Sequence, residues 1–126
     1  MGQGGKTILV VDDEQFIRRS MSDFFEDEGF VVLTAESGED GIEVLREKTV
    51  HLCTVDMRLP GMDGNDFILK AHAINPTCRF IIYTGFMDYN LPQEFKAIGI
   101  SKDHVFQKPI EDLQVLVEVV SSILSG

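Results

Sequence analysis

Five short apolar runs, each followed by apolar residues at helical spacing, constrain the fold of this chain more than any other feature of its sequence. Residues 6–11, KTILVV, suit a strand buried on both faces, and beyond three acids Ile17, Met21, Phe24 and Phe25 recur at helical intervals until Gly29. A β-branched run over 30–35 comes next, and Ser37, with Asp40 three residues on, opens a helix carrying Ile42, Val44 and Leu45 on its apolar side. Residues 51–55 supply a third strand ending at Asp56, and a loop with Pro60, Gly61 and Gly64 leads into a helix through Phe67, Ile68, Ala71 and Ile74, stopped by Asn75 and Pro76. Residues 79–84 form a fourth strand, a short helical pattern over 93–98 follows Pro92, and Val105 with Phe106 make a short fifth strand. Leu113, Leu116, Val117, Val120 and Leu124 mark the stripe of a last helix.

Strands alternating with helices imply an α/β fold: an open parallel sheet covered on both sides, with right-handed crossovers. The 126 residues allow one domain, expected over 6–126 after a flexible segment 1–5. A composition 44% hydrophobic and 25% charged argues against disorder, and a formal charge of -10 makes binding to a phosphate backbone unfavourable, so nucleic acid is excluded as a direct ligand. Cys53 and Cys78 sit in or beside apolar runs and are expected to be reduced and structural. The start, MGQGGK, lacks a signal-peptide core, and no apolar run nears the roughly 18 residues of a membrane span. The expectation is a cytoplasmic protein.

In such a sheet ligands gather at the carboxyl ends of the strands. The residues ending the strands are Asp12 and Asp13, Asp56, Thr84 and Lys108. Two carboxylates about 4 Å apart repel by roughly 4 kcal/mol at the effective dielectric of a protein surface, so this arrangement calls for water or a cation. An all-oxygen site of three carboxylates suits Mg²⁺, while Lys108 offers a point charge and Thr84 a hydroxyl to phosphoryl oxygens. Asp56 is then the natural nucleophile. Taken singly, each residue has an ordinary explanation: the acid pair as partners of a helix dipole, Thr84 as a strand former, Lys108-Pro109 as a helix entry. Their coincidence at successive strand ends is what carries the assignment.

VVDDE, VDMRLPGMDG, YTG and FQKPI, in this order, resemble the response-regulator receiver domain of two-component phosphorelays, a resemblance spanning 6–124. It implies a flavodoxin-like, doubly wound five-stranded sheet of order 2-1-3-4-5. It implies that Asp56 is the phosphoacceptor, supplied by a sensor histidine kinase or phosphotransfer protein, and that Asp13, Asp56 and the Arg58 carbonyl bind Mg²⁺ with Asp12 acting through water. Such a domain is a signalling unit that catalyses only its own phosphorylation and dephosphorylation. Glu14 is expected to be simply the first acid of the following helix.

Where that family usually carries Tyr or Phe three residues before its Lys, this chain has Val105. Phe106 lies one residue later, on the opposite face of a strand, so the switch set of Thr84, Val105 and Phe106 lacks its usual aromatic. Arg58 and Phe86, two residues beyond Asp56 and Thr84, are expected to shield an acyl phosphate from water and lengthen its lifetime. Val115 and Val119 extend the apolar side of the last helix next to Ile123, which is expected to serve with the fifth strand as a homodimer or target face. A degenerate receiver acting as a phosphorylation-independent interaction module is the main alternative. An acid phosphatase would want Asp-x-Asp after the first strand, and a flavin carrier would be repelled by the carboxylates there.

Overall fold

The computed structural model describes residues 5–85, 89–110 and 112–125. Five strands, β1 (Thr7–Val11), β2 (Val31–Ala35), β3 (Leu52–Val55), β4 (Arg79–Thr84) and β5 (Val105–Gln107), pair in parallel in the order β2-β1-β3-β4-β5. Five α-helices connect and follow them: α1 (Gln15–Asp27), α2 (Gly38–Glu47), α3 (Gly64–Ile74), α4 (Gln93–Ala97) and α5 (Leu113–Ser125). This is the doubly wound sheet that the sequence pattern implies.

Strand alternation divides the core into two layers. Ile8, Val10, Leu52, Ile81 and Tyr83 face Met21 and Phe25 of α1 and Leu116, Val117 and Val120 of α5. Leu9, Val11, Cys53, Val55, Phe80 and Ile82 face Ile42 and Leu45 of α2, Phe67, Ile68 and Ala71 of α3 and Phe95 of α4. Because β1 and β3 are covered on both sides, every residue in them is buried, which is why they read as unbroken apolar runs. The outermost strand β2 keeps Val31 half exposed.

Local signals fix the ends. Gly29 adopts φ 97° just past α1, a conformation open to glycine, and sends Phe30 back under Phe25 with ring centroids 5.8 Å apart. The second strand therefore starts at Val31, with Phe30 acting as a buried plug before it. Ser37 caps α2 by accepting from the Asp40 backbone N–H at 3.1 Å, and Asp63 caps α3 through Asp66 N–H at 2.9 Å.

The structure adds three details to the sequence pattern. A 3-10 turn, Lys102–His104, precedes β5 and has no apolar periodicity to announce it; Ser101 and His104 hold it through reciprocal side-chain to backbone bonds. In α5 the core contact belongs to Ile123, whereas Leu113 and Leu124 are only partly buried. α5 begins four residues beyond Pro109, so the ordinary explanation of Lys108-Pro109 as a helix entry does not hold. Cys53 and Cys78 are free and buried with sulfurs 3.7 Å apart, and burial pushes the Cys53 thiol well up, as expected of structural cysteines.

Candidate functional site

Order reverses at β1, which has β2 on one side and β3 on the other, so the crevice of the sheet opens where β1 and β3 end. The ladder persists for one residue beyond each strand. Asp12 N–H donates to the Ala35 carbonyl at 3.1 Å and Asp56 N–H to the Val11 carbonyl at 3.0 Å, fixing both acids to the sheet. The chain turns at once in each case, because Asp12 Oδ1 accepts from Glu14 N–H at 2.9 Å and Asp56 Oδ1 from Arg58 N–H at 3.0 Å. Arg18 on α1 braces the first turn by donating to the Asp12 carbonyl at 2.8 Å.

The turn after Asp56 depends on Gly64. A Cβ there would lie 2.7 Å from the Asp56 carbonyl oxygen and 2.7 Å from the Met57 Cα, both backbone atoms that cannot yield. Only glycine lets α3 start this close to the strand end.

Lys108, reached across β5, carries the positive charge into this crevice. Its backbone N–H donates to the Thr84 carbonyl at 2.7 Å, which ties the last strand to β4. Its ammonium lies 2.7 Å from Asp12 Oδ2, 2.9 Å from Glu14 Oε2 and 3.1 Å from Asp56 Oδ2, and 5.3 Å from the centre of the Tyr83 ring. Burial alone would pull the Lys108 ammonium down, but the hydrogen-bonding and charge of Asp12, Glu14 and Asp56 outweigh it and hold the group well above an ordinary lysine. For Asp12 the balance goes the other way: burial raises its carboxyl, and Lys108 and the Glu14 N–H only partly oppose this. The pair is thus tight at the lysine and costly at the aspartate, consistent with Asp12 being only 2% exposed.

Asp12, Asp13, Asp56 and Lys108 converge as expected, and Glu14 joins them. The side chain of Glu14 is not simply a first helical acid: the residue is the N-cap of α1 and makes no cap bond, turning its carboxylate to Lys108 instead. Its place beside Asp12 and Asp13 was the available signal, but acids before a helix are commonly explained by the helix dipole. One oxygen from each of Asp12, Asp13, Glu14 and Asp56 lies within 4.8 Å of the others. Asp13, Glu14, Asp56, Arg58, Gly85 and Lys108 line an open cavity of about 320 Å³.

Thr84 is buried at the end of β4, and it lines a neighbouring cavity of about 560 Å³ with Tyr89, Leu91, Lys96, Val105 and Gln107. Val105 faces this side of the sheet and Phe106 the α1–α5 side, so Phe106 does not reach the Thr84 cavity. Phe86 lies outside the described residues. Val115 is 47% exposed and Val119 partly buried; with Phe106 and Ile123 they line a groove of about 520 Å³ between β5 and α5.

Residues 8–121 match the response regulator receiver domain. Among curated proteins, the chain is 35% identical over 123 residues to a probable chemotaxis protein CheY of Rhizobium etli, covering 93% of each. It is 32% identical over 104 residues to sporulation initiation phosphotransferase F of Bacillus subtilis, covering 82% of each. Other relatives are longer, and the chain spans 30% of a transcriptional regulatory protein of Bacillus subtilis and 27% of a cyclic di-GMP phosphodiesterase of Thermotoga maritima. A response regulator receiver domain of Clostridium thermocellum superposes with a TM-score of 0.80 at 28% identity, covering 95% of this chain and 94% of that one. The response regulator TrrA of Thermotoga maritima, solved with Mg²⁺ and BeF, superposes with a TM-score of 0.80 at 24% identity, covering 94% and 98%. With its sheet order, its strand-end acids and a match over nearly its whole length, the chain belongs to the response regulator receiver domain family.

Proposed function

We propose that this receiver works in a phosphorelay by accepting a phosphoryl group on Asp56 from a sensor histidine kinase or phosphotransfer protein. The observation that carries this reading is the difference between the two buried acids. Asp56 lines the open cavity together with Arg58 and Lys108, whereas Asp12 is not among the residues that line it. In the transfer an Asp56 oxygen gives an electron pair to phosphorus while the bond from phosphorus to the donor imidazole nitrogen breaks and returns its pair to the ring. Hydrolysis is the later attack of water on the same phosphorus, the broken bond returning its electrons to Asp56 and the water proton passing to solvent. Lys108 lies where it would meet a phosphoryl oxygen on Asp56, and the Arg58 N–H fixes the other Asp56 oxygen.

The donor set fits Mg²⁺: four hard carboxylates close together face one ammonium, leaving negative charge for a cation to offset. Asp13, Asp56 and the Arg58 carbonyl would hold it, with Asp12 acting through water. When bound, the metal would supply charge neutralisation at the phosphoryl oxygens.

Thr84 would follow the phosphoryl group and transmit the change to the cavity on the α4 side, with Val105 in place of an aromatic and Phe106 outside that path. Arg58 lines the crevice, and with Phe86 it would hinder attacking water. The groove carrying Val115 and Val119 would be the face for a second copy or a target, tested by sedimentation with and without a phosphoryl mimic. Among the described residues no helix is long and apolar enough to cross a membrane, and the reading is of a cytoplasmic signalling domain. A phosphorylation-independent interaction module is the second reading, favoured by Val105 and by Thr84 lining a different cavity from Asp56.

The test is phosphorylation by a small phosphodonor with Mg²⁺, read by mass. One phosphoryl group is expected on the parent and none on Asp56→Asn. An equal gain in both would move the acceptor elsewhere, and no gain in the parent would leave the interaction module as the better reading.

A further inference from the structure

We propose that Glu14 is a positioning residue that tethers Lys108 in the resting protein, so that a phosphoryl group on Asp56 must win the ammonium from it. This rests on the phosphoacceptor reading above for its consequence, but not for its geometry. An ammonium has three N–H donors, and three carboxylates surround this one at 2.7, 2.9 and 3.1 Å. The hydrogen bonds run to Glu14 and Asp56, while the Asp12 oxygen is in ion-pair contact without one, so Glu14 holds one of the two directed contacts for which an oxyanion on Asp56 must compete.

The three partners are unequal. Asp12 and Asp56 are anchored to the sheet by their own backbone bonds and are 2% and 4% exposed. The Glu14 side chain is 59% exposed and hangs from the N-cap of α1, on the solvent side of the ammonium. Exposed ion pairs are the weakest kind, so Glu14 is the partner that can be surrendered at least cost. Glu14 and Lys108 line the same open cavity as Asp56, so the tethering carboxylate stands within the space a phosphoryl group would enter. It also presents negative charge to an anionic donor. A tether of this kind sets a threshold: Lys108 becomes available only to a ligand that outcompetes a surface carboxylate.

Two substitutions separate the tether from simple repulsion. Glu14→Gln removes the charge, while Glu14→Asp keeps it on a side chain one methylene too short to hold the same contact. With a small anionic phosphodonor and Mg²⁺ at low salt, both variants are expected to phosphorylate about threefold to tenfold faster than the parent. Acceleration in Glu14→Gln alone would overturn the tether and leave only repulsion, and no acceleration in either would overturn it outright. The resting contact is read separately by ¹⁵N NMR of the Lys108 side chain in the unphosphorylated protein. Its ammonium signal should be protected from solvent exchange in the parent and lose that protection in both variants. An unchanged Lys108 signal would sink the tether even if the parent were never phosphorylated, whereas changed signals without any phosphorylation would uphold the tether and reject the phosphoacceptor reading.

Discussion

At the scale of single residues, the crevice carries a cost in the resting protein. Asp12 binds its proton more tightly folded than unfolded, because burial outweighs Lys108 at that site. Stability therefore falls as pH rises from the ordinary carboxylate value through the raised one, and stays lower above it. Asp12→Asn is expected to be more stable than the parent at neutral pH in the absence of Mg²⁺, on the order of 1 kcal/mol, and to lose that part of the pH dependence. Urea unfolding at pH 4 and pH 7 would check both. Gly64 has the opposite sensitivity. Gly64→Ala places a methyl group against the Asp56 carbonyl and the Met57 backbone, and should cost about 1–3 kcal/mol while weakening phosphoryl acceptance, since the clash displaces the acceptor's own turn. A variant of parental stability and activity would show that α3 can back away from the strand.

The elements most open to perturbation are those around β5. The 3-10 turn before it closes when His104 Nδ1 accepts from Ser101 N–H at 3.1 Å, which requires a ring nitrogen without a proton. Burial and the nearby Arg79 guanidinium hold the His104 pKa down, with Asp103 opposing them. A depressed histidine contributes stability that is present above the unfolded value near 6.5 and is lost as pH falls through the folded value. The Ser101 amide should then exchange faster with solvent once the pH has fallen well below the ordinary histidine value, and His104→Ala should show fast exchange both above and below it. If the parent's exchange rate, corrected for its intrinsic pH dependence, does not change, the cap does not control the turn.

For the whole molecule, metal and charge act on the folded state alone. Millimolar Mg²⁺ is expected to raise the thermal midpoint, by about 2.7 kcal/mol of stability if its concentration reaches a hundred times the dissociation constant, and Asp13→Ala should abolish the gain. Coincident midpoints with and without Mg²⁺ would remove the metal from the reading. Asp13→Ala should itself melt no lower than the parent without metal, because it relieves repulsion among the acids.

The sheet, its helices and the strand-end identity of Asp12, Asp13, Asp56, Thr84 and Lys108 were legible in the sequence, because buried parallel strands need continuous apolar runs and a polar residue must end each one. Ser37 as the cap of α2 was legible because it is a local device, with its donor three residues away, whereas Asp63, which caps α3 in the same way, was not singled out. What bonds across long separations was not legible. Glu14 meets Lys108 across ninety-four positions, and its neighbours in sequence give no sign of whether it faces water or that ammonium. The 3-10 turn likewise depends on a histidine whose tautomer is set by a fold-dependent contact, and Ile123 rather than Leu124 enters the core because α5 docks with one rotation that hydropathy alone does not choose. Periodicity determined which elements form and in what order, whereas the distances among charges, and therefore which carboxylate holds the lysine and which one faces the open crevice, were decided only when the sheet brought the ends of β1, β3 and β5 together.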